Sequence, residues 1–255
     1  MQPEITVLTA PNPGPMTLDG TNSYILRAPG SGSTVVVDPG PDEAGHLAAL
    51  AAAGRVELVL ITHRHPDHTA GIDAFHALTG APVRAALDGF CRDAGPLADG
   101  EVLRAGGLAL QVVATPGHTS DSLCFFAADD GPGSMLTGDT VLGRGTTILD
   151  FPDGTLADYL ASLDVLDGFA EAALLPAHGP AHPALGPVVA AYREHRLERL
   201  EQVRAAVASL QAAGGPAAPG VAEVADVVYA DIDPSVRGAA EHSVAAQLAY
   251  LFGDR

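Results

Sequence analysis

Five histidines and two aspartates stand at positions from which their side chains can share one pocket. Three of the histidines and one aspartate fall within the segment Thr62-His63-Arg64-His65-Pro66-Asp67-His68. The others belong to separate glycine-containing motifs, around His118, Asp139 and His178. Neutral imidazole and carboxylate are preferred ligands of zinc and similar divalent ions. These residue types in this order therefore predict a site for divalent metal.

Each of these motifs follows an apolar, strand-like stretch. The histidine-rich segment follows Val56–Ile61 and leads into a helical pattern over Asp67–Leu78. The stretches before the other three motifs are Leu108–Ala114, Ser134–Leu136 and Ala172–Leu175. A glycine beside a ligand lets the backbone approach the pocket closely or adopt a positive φ. The sequence thus predicts that every ligand lies where a strand ends in a tight turn.

The first 185 residues alternate between strand and helix patterns. Further strands are predicted at Ile5–Ala10, Asn22–Arg27, Ser33–Asp38, Val83–Ala86 and Leu123–Ala127. Further helices are predicted at Asp42–Ala53 and Thr155–Phe169. The second begins at Thr155, and Asp158 three residues later completes an approximate capping box. Strands interspersed with helices favour a layered α/β domain over an all-β sandwich.

The composition changes after His182-Pro183. Helices are predicted at Tyr192–Leu210, Val221–Tyr229 and Ser235–Phe252, and the chain divides into domains of residues 1–185 and 186–255. Helix, loop, helix, helix is the order of the helical part of a winged-helix module. No wing strands follow Phe252. A lid over the site or a homodimer contact is therefore at least as good an interpretation of the second domain as a nucleic-acid-binding winged helix.

At these motifs the sequence resembles the metallo-β-lactamase-fold hydrolase superfamily. Within it, the chain is most similar to the LACTB2-like branch, which adds a small winged-helix-like C-terminal domain. The resemblance covers residues 1–185 and includes Thr21-Asn22-Ser23-Tyr24 and Val37-Asp38-Pro39-Gly40. It implies an αββα sandwich, in which two mixed sheets pack face to face under helices, with the metals at one edge.

The resemblance also implies a role for each ligand. It assigns the first metal to His63, His65 and His118. It assigns the second metal to Asp67, His68 and His178, with Asp139 bridging both. Two zinc ions are the expected cofactor, with manganese or iron as alternatives, and they would activate a bridging hydroxide. Asp67 and Asp139 are the predicted catalytic residues, because Asp67 lies close enough to exchange a proton.

Residues around the ligands are predicted from the same chemistry. Ligating imidazoles need a partner on the other ring nitrogen, which fixes their tautomer and orientation. The candidate partners are Asp38, Thr62, Thr119 and Asp121. Arg64 and Arg144 are candidates for contact with an anionic group of the substrate, and a surface position is the alternative for both. His242, in the last predicted helix, reaches substrate only if that helix covers the site.

The charge balance bears on the substrate. The chain has 31 acidic residues against 13 arginines, no lysine, and a formal net charge of −18. Such a charge repels polyanions at long range, and a strand-binding groove would need basic residues interleaved with aromatics. We therefore expect cleavage of a (thio)ester on a small or carrier-borne acyl substrate. Cleavage of single-stranded RNA, which the LACTB2-like resemblance implies, is the alternative.

Other members of the superfamily fit less well. A β-lactamase would usually carry cysteine where Asp139 stands, and the interval from Asp139 to His178 has no space for the extra domain of long-insert nucleases. A glyoxalase II-like hydrolase and an iron persulfide dioxygenase are minor alternatives. No apolar run is long enough to span a membrane. Without a leader pattern or a disulfide framework, we expect a cytoplasmic protein with Cys91 and Cys124 reduced.

Overall fold

Two five-stranded β-sheets packed face to face form the centre of the fold. The computed structural model describes residues 2–128, 130–233 and 236–253. Across the first sheet the strands are β1 (Glu4–Thr9), β2 (Asn22–Arg27), β3 (Ser33–Val37), β4 (Arg55–Leu60) and β5 (Val83–Arg84). The second sheet contains β6 (Val102–Ala105), β7 (Leu108–Ala114), β8 (Leu123–Ala127), β9 (Ser134–Gly138) and β10 (Ala173–Pro176), also in chain order. Both sheets are mixed, with parallel pairs at β3–β4, β4–β5 and β9–β10.

Alternating side chains on the strands produce separate layers of core. On β3, Val35 and Val37 point between the sheets, whereas Val36 packs on the outer face of the first sheet. On β8, Phe125 lies between the sheets and Cys124 faces outward from the second. Because successive side chains of a strand point to opposite faces, fully apolar strands require cover on both sides.

Helices supply that cover. On the first sheet lie α1 (Ala44–Ala52) and α3 (Ile72–Thr79), which the short α2 (Pro66–Thr69) precedes. On the second sheet lie α4 (Leu156–Leu166) and the start of α5 (Gly186–Ala212). The far half of α5 packs with α6 (Val221–Val228) and α7 (Arg237–Phe252) in a separate apolar cluster. The expected αββα sandwich is confirmed. The domain boundary at residue 185 stays a prediction.

The helix boundaries differ substantially from prediction in three places, and the other differences are of one or two residues. The helix predicted over Asp67–Leu78 is broken into α2 and α3 at Gly71, whose amide donates to the Gly40 carbonyl at 3.0 Å. A side chain at Gly71 would meet that carbonyl oxygen at 3.0 Å, so tertiary packing causes the break. The helix predicted from Tyr192 begins earlier, at Gly186. Pro187 stands in its first turn, where the backbone amides have no partner within the helix, so the missing N–H of proline costs no hydrogen bond. The helix predicted over Thr155–Phe169 ends at Leu166 and continues as a 3₁₀ turn.

Strand β6 was not predicted, since its four residues are too few to show alternation. Within 186–233 and 236–253 the structure contains helices but no strand, so the winged-helix-like character of this part stays a prediction. The predicted helix start, Ser235, lies outside the described residues. No helix in the described parts of the chain is both long and apolar enough to cross a membrane.

Candidate metal centre

Four strands end at one edge of the sandwich and deliver the predicted ligands to it. The segment with His63 follows β4, His118 follows β7, Asp139 follows β9, and His178 follows β10. Strands β7, β9 and β10 run in the same direction, so their carboxyl ends meet. The fold therefore gathers into one place residues that are up to 115 positions apart, as the interval from 63 to 178 shows.

Glycines beside the ligands permit close packing there. Gly117, before His118, has a φ of 137°, and a Cβ atom at this position would lie 2.4 Å from the Cα of Tyr159. Gly138, before Asp139, has a φ of 52° and leaves room for Thr62, which a Cβ would meet at 2.7 Å. Only glycine satisfies both the conformation and the space at these two turns.

The first group of ligand atoms is a triangle of imidazole nitrogens. His63 Nε2 lies 3.0 Å from His65 Nδ1 and 3.2 Å from His118 Nε2, and the last two atoms are 3.0 Å apart. Asp139 Oδ2 lies 3.7 Å from His118 Nε2 and 4.0 Å from His63 Nε2. These four ligand atoms lie within 4.8 Å of one another.

The second group adjoins the first through Asp139. Asp67 Oδ2 lies 3.2 Å from both His68 Nε2 and His178 Nε2. The other carboxylate oxygen of Asp139, Oδ1, lies 3.6 Å from His68 Nε2 and 3.3 Å from His178 Nε2. Asp139 thus directs one oxygen at each group, which is the arrangement that a bridging ligand requires.

The donor set fits cations better than it fits hydrogen bonding among its own members. Three imidazole nitrogens that converge at 3.0–3.2 Å cannot all donate to one another. His68 Nε2 and Asp139 Oδ1 are buried without a hydrogen-bond partner. Buried polar atoms without partners are costly, and a divalent ion at each group would satisfy them. Spacings near 3 Å also suit nitrogen ligands arranged tetrahedrally around zinc.

The electrostatics separate the two groups. Burial, together with the neighbouring imidazoles His68 and His118, holds the pKa of His63 well below its ordinary value, so this ring is neutral. Burial raises the pKa of Asp139, but His68 and His178 outweigh it and hold the carboxyl pKa far below its usual range. Burial lowers the pKa of His178, yet Asp139 and Asp67 raise it to about 9. A cation bound in the second group would therefore displace a proton from His178.

Each imidazole has a partner on its outer nitrogen. Two partners were predicted: Asp38 Oδ2 lies 2.8 Å from His68 Nδ1, and Thr62 Oγ1 lies 3.1 Å from His63 Nδ1. Asp38 also accepts from the amide of Thr62 at 2.8 Å and from its hydroxyl at 2.7 Å. Asp38 has a φ of 52°, a left-handed conformation that aspartate tolerates. Its contacts match the expected role of orienting a ligand.

Sequence reasoning missed the remaining partners. The Ile148 carbonyl lies 2.6 Å from His118 Nδ1, and the Gly20 carbonyl lies 3.2 Å from His178 Nδ1. Asp150 Oδ2 lies 3.4 Å from His65 Nε2. Backbone carbonyls carry no residue signature, so only Asp150, an acid in the loop between β9 and α4, offered any signal.

The other predicted side chains lie elsewhere. The Thr119 hydroxyl hydrogen-bonds Ser122 at 2.8 Å rather than an imidazole, and buried Asp121 lies 3.6 Å from Arg64. Arg64 also forms short ion pairs with Asp150 and Asp153, which take up its guanidinium. Arg144 is half-exposed and pairs with Asp19 at 2.9 Å. Substrate contact by Arg64 or Arg144 stays a prediction.

The last ligand is held by the first hairpin. Asn22 on β2 donates its side-chain amide to the carbonyls of Pro176 at 3.1 Å and Gly179 at 2.9 Å. The Tyr24 hydroxyl donates to the same Pro176 carbonyl at 2.8 Å. These bonds join the first sheet to the end of β10 and so fix the turn that carries His178.

A cavity of about 490 Å³ opens over both ligand groups. We call it the metal cavity; ligands from both groups form its floor, including Asp67 and Asp139. The rest of the wall consists of Pro15, Met16, Ile148, Asp150, Val236, Gly238, Ala239 and His242. Since Gly238, Ala239 and His242 belong to α7, this last helix forms part of the cavity wall.

Comparison with known proteins agrees with the fold and the site. Residues 16–178 match the metallo-beta-lactamase superfamily, and the chain belongs to that superfamily, as its motifs indicated. A beta-lactamase-like protein 2 homolog from Caenorhabditis elegans is 30% identical over 264 residues, covering 98% of this chain and 84% of the relative. An atrochrysone carboxyl ACP thioesterase from Aspergillus chevalieri is 32% identical, covering 99% of this chain and 82% of the relative.

A solved structure has the same fold over nearly the whole chain. A metallo-beta-lactamase family protein from Thermus thermophilus superposes with a TM-score of 0.79 at 24% sequence identity. The match covers 97% of this chain and 92% of that one. The C-terminal helices are therefore part of the shared fold.

Proposed function

We propose that the protein is a cytoplasmic, zinc-dependent hydrolase that cleaves the (thio)ester of a small or carrier-borne acyl substrate. The observation that carries this proposal is the wall of the metal cavity. Five of its side chains are apolar, namely Pro15, Met16, Ile148, Val236 and Ala239, and its described lining contains no arginine. A mostly apolar wall above the ligands suits an acyl group, and it offers no arginine to a chain of phosphates.

The surrounding charge supports the same substrate class. Arg64, the nearest arginine in sequence to the ligands, is already paired with Asp150 and Asp153. The net charge of −18 opposes the approach of a polyanion. The Aspergillus relative is named as a thioesterase that acts on an acyl carrier protein, which is consistent with acyl transfer to water.

The residues of the site have distinct tasks in this reaction. When bound, two zinc ions would supply a hydroxide near neutral pH and polarise the scissile carbonyl. Asp67 faces the cavity, and the pKa of its carboxyl is held far below the usual range by His68 and His178, which outweigh burial. The Thr21 hydroxyl donates to Asp67 Oδ2 at 3.1 Å and orients it. We assign Asp67 to carry a proton from the attacking water to the leaving group.

A paired turnover assay tests the proposal. Zinc-, manganese- and iron-loaded protein is given a panel of acyl thioesters, including a glutathione thioester, and a fluorescent single-stranded RNA. We expect zinc-supported thioester hydrolysis that the Asp139→Asn variant loses. RNA cleavage that depends on Asp139, without thioester turnover, would instead establish the nuclease. Oxygen uptake with a persulfide by the iron-loaded protein would establish the dioxygenase.

A further inference from the structure

Arg196 and Arg199, one turn apart on α5, differ from most arginines of the chain. Most others form ion pairs with carboxylates: Arg27, Arg64, Arg84, Arg92, Arg144, Arg193, Arg204 and Arg237. In the described part of the chain, neither Arg196 nor Arg199 has a carboxylate within 4.0 Å. In a chain with 31 acidic residues, two adjacent cations without an acidic partner call for an explanation.

Arg196 is a buried cation whose hydrogen bonding is incomplete. It is only 3% exposed, and its Nη2 donates to the Thr147 carbonyl at 2.6 Å. Its guanidinium carbon lies 4.9 Å from the centre of the Tyr159 ring. Its Nε is buried without a hydrogen-bond partner. Burying a charge without a counter-charge is costly, so a bound anion would relieve Arg196.

Arg199 continues this positive surface outward. It donates from Nη1 to the uncharged Gln202 at 2.7 Å, and its guanidinium carbon lies 4.8 Å from the Tyr229 ring centre. Arg196, Arg199 and His195 line one cavity of about 210 Å³, which we call the anion pocket. Thr146, Tyr229 and Ser243 contribute hydroxyl groups to it, and its described lining contains no carboxylate.

The ionised side chains that line this pocket, Arg196 and Arg199, are both positive. The pKa of His195 is lowered from its ordinary value, first by burial and then by Arg196 and Arg199, which outweigh Glu198. Guanidinium groups and hydroxyls are the side chains that bind phosphate most readily. Because the pocket is small, it suits one phosphate group rather than a series of them.

The anion pocket adjoins the metal cavity. Ile148, Val236 and Ala239 line both. The backbone between them serves both sites, because the Thr147 carbonyl accepts from Arg196 while the Ile148 carbonyl bonds His118. A ligand in the anion pocket can therefore belong to the same molecule as an acyl group above the metal ligands.

We infer that the anion pocket binds the phosphate of a phosphopantetheinyl thioester. This arm presents acyl groups on carrier proteins and on coenzyme A, and it has the phosphate at the end remote from the thioester. The inference rests on the proposed function and narrows its substrate from any acyl ester to a phosphopantetheinyl thioester. Arg199 binds the phosphate at the rim, and Arg196 supplies the buried part of the positive charge.

The test compares two substrates that differ only in the phosphate, hexanoyl-phosphopantetheine and hexanoyl-pantetheine. We expect the zinc-loaded protein to prefer the phosphorylated substrate about 10- to 100-fold in kcat/KM, mainly through KM, as for hydrogen bonds to a charged group. Arg199→Gln should abolish the preference by reducing kcat/KM for hexanoyl-phosphopantetheine to about the value for hexanoyl-pantetheine. Arg193→Gln is the matched control, since Arg193 is on the same helix but pairs with Asp164 and Asp167. Hexanoyl-coenzyme A and a hexanoyl carrier protein then identify the source of the arm.

Equal turnover of the two substrates by the unmodified protein would overturn the inference, and so would an equal loss on both in Arg199→Gln. If neither thioester is hydrolysed, the proposed function fails, and calorimetry tests the pocket separately. Binding of phosphopantetheine itself should then be lost in Arg199→Gln and kept in Arg193→Gln. Unchanged binding would refute the pocket. RNA cleavage that depends on Arg199 would assign the pocket to a nucleic-acid strand and overturn the inference.

Discussion

The two sheets contribute to the metal centre in different ways. The first sheet supplies His63, His65, Asp67 and His68 from a single segment after β4. The second sheet supplies one ligand at the end of each of three strands, His118, Asp139 and His178. The ligands after β4 are close together in sequence, whereas the three ligands from the second sheet are brought together only by the tertiary structure. Each metal group takes ligands from both sheets, so a bound ion joins the two halves of the sandwich.

This difference has an energetic consequence. Ligands from one short loop stay near one another in an unfolded chain, whereas ligands from separate strands disperse. An ion that needs both sets binds the folded state preferentially and stabilises it by mass action. The metal centre should therefore contribute to the cohesion of the sheets as well as to catalysis.

The largest expected effect on metal content and turnover comes from removing one ligand from the segment after β4 and, in a separate variant, one ligand from the second sheet. His68→Ala and His118→Ala should each reduce the bound metal from two ions to one per chain, because each deletes a ligand of a different group. Turnover should fall by at least about 100-fold, since losing a residue that only orients a ligand already costs 10- to 100-fold. Elemental analysis measures the bound metal, and thioester kinetics measure the turnover.

His182→Ala is the control for this pair. Its imidazole lies 2.6 Å from the Gly143 carbonyl and belongs to neither ligand group. If His118→Ala retained two ions while His68→Ala lost one, the site would depend on the local motif alone, and the comparison between the sheets would fail.

A smaller effect is expected at Asp38, which follows β3 and contacts His68 at 2.8 Å. Asp38→Asn keeps a residue that tolerates the positive φ but removes the charge that faces His68 Nδ1. We expect a 10- to 100-fold weaker affinity for the second ion and little change for the first. Competition with a chromogenic chelator resolves the two affinities.

Asp42→Asn, a change to an exposed acid in the same turn, is the matched control for Asp38→Asn. Equal weakening of both ions would show that Asp38 supports the whole edge of the sheet rather than one imidazole.

The smallest effect is expected far from the metals, where Glu57 joins the sheets. Its Oε2 accepts from the Ser33 hydroxyl at 2.5 Å and from the Gly106 amide at 2.9 Å, across the sandwich. These two bonds lower the pKa of Glu57. A lowered folded-state pKa gives stability that is present above the unfolded value and is lost as the pH falls through the folded value.

Glu57→Gln should therefore lower the free energy of unfolding by about 1 kcal/mol at pH 7. The difference from the unmodified protein should begin to shrink near the ordinary glutamate pKa of about 4.3 and disappear at a pH below the lowered folded-state pKa, where the native carboxyl is itself protonated. Urea unfolding at both pH values measures this, with Glu4→Gln in an exposed ion pair as control. A difference that persists at low pH would mean that the side chain acts through packing.

Much of the fold is readable in the sequence where the signals are local. The predicted bounds of β2, β7 and β8 agree with the structure residue for residue, because turn residues flank apolar runs. The ligand segments were also predictable as ends of strands. The break between α2 and α3 was not, because it depends on Gly71 approaching Gly40 from elsewhere in the chain.

Around the ligands, the limit of prediction is the backbone. Asp38 and Thr62 were predictable as partners because their side chains have the right chemistry. The carbonyls of Gly20 and Ile148 serve the same purpose without any residue preference, so no reading of residue types would find them. The unpaired state of Arg196 is equally invisible, since it depends on which acids the fold leaves distant.

The clamp of Asn22 and Tyr24 on the end of β10 places an order on how the site can be assembled during synthesis. Asn22 and Tyr24 are translated early, but Pro176, whose carbonyl they bind, and His178 emerge from the ribosome long after His68. At typical translation rates of 5–20 residues per second, this interval lasts roughly 5 to 20 s. Throughout it a nascent chain presents an incomplete site that any passing divalent ion can visit but none can fully occupy. A divalent ion would therefore meet the complete set of ligands only late in synthesis, once His178 has emerged and Asn22 and Tyr24 have closed on the end of β10.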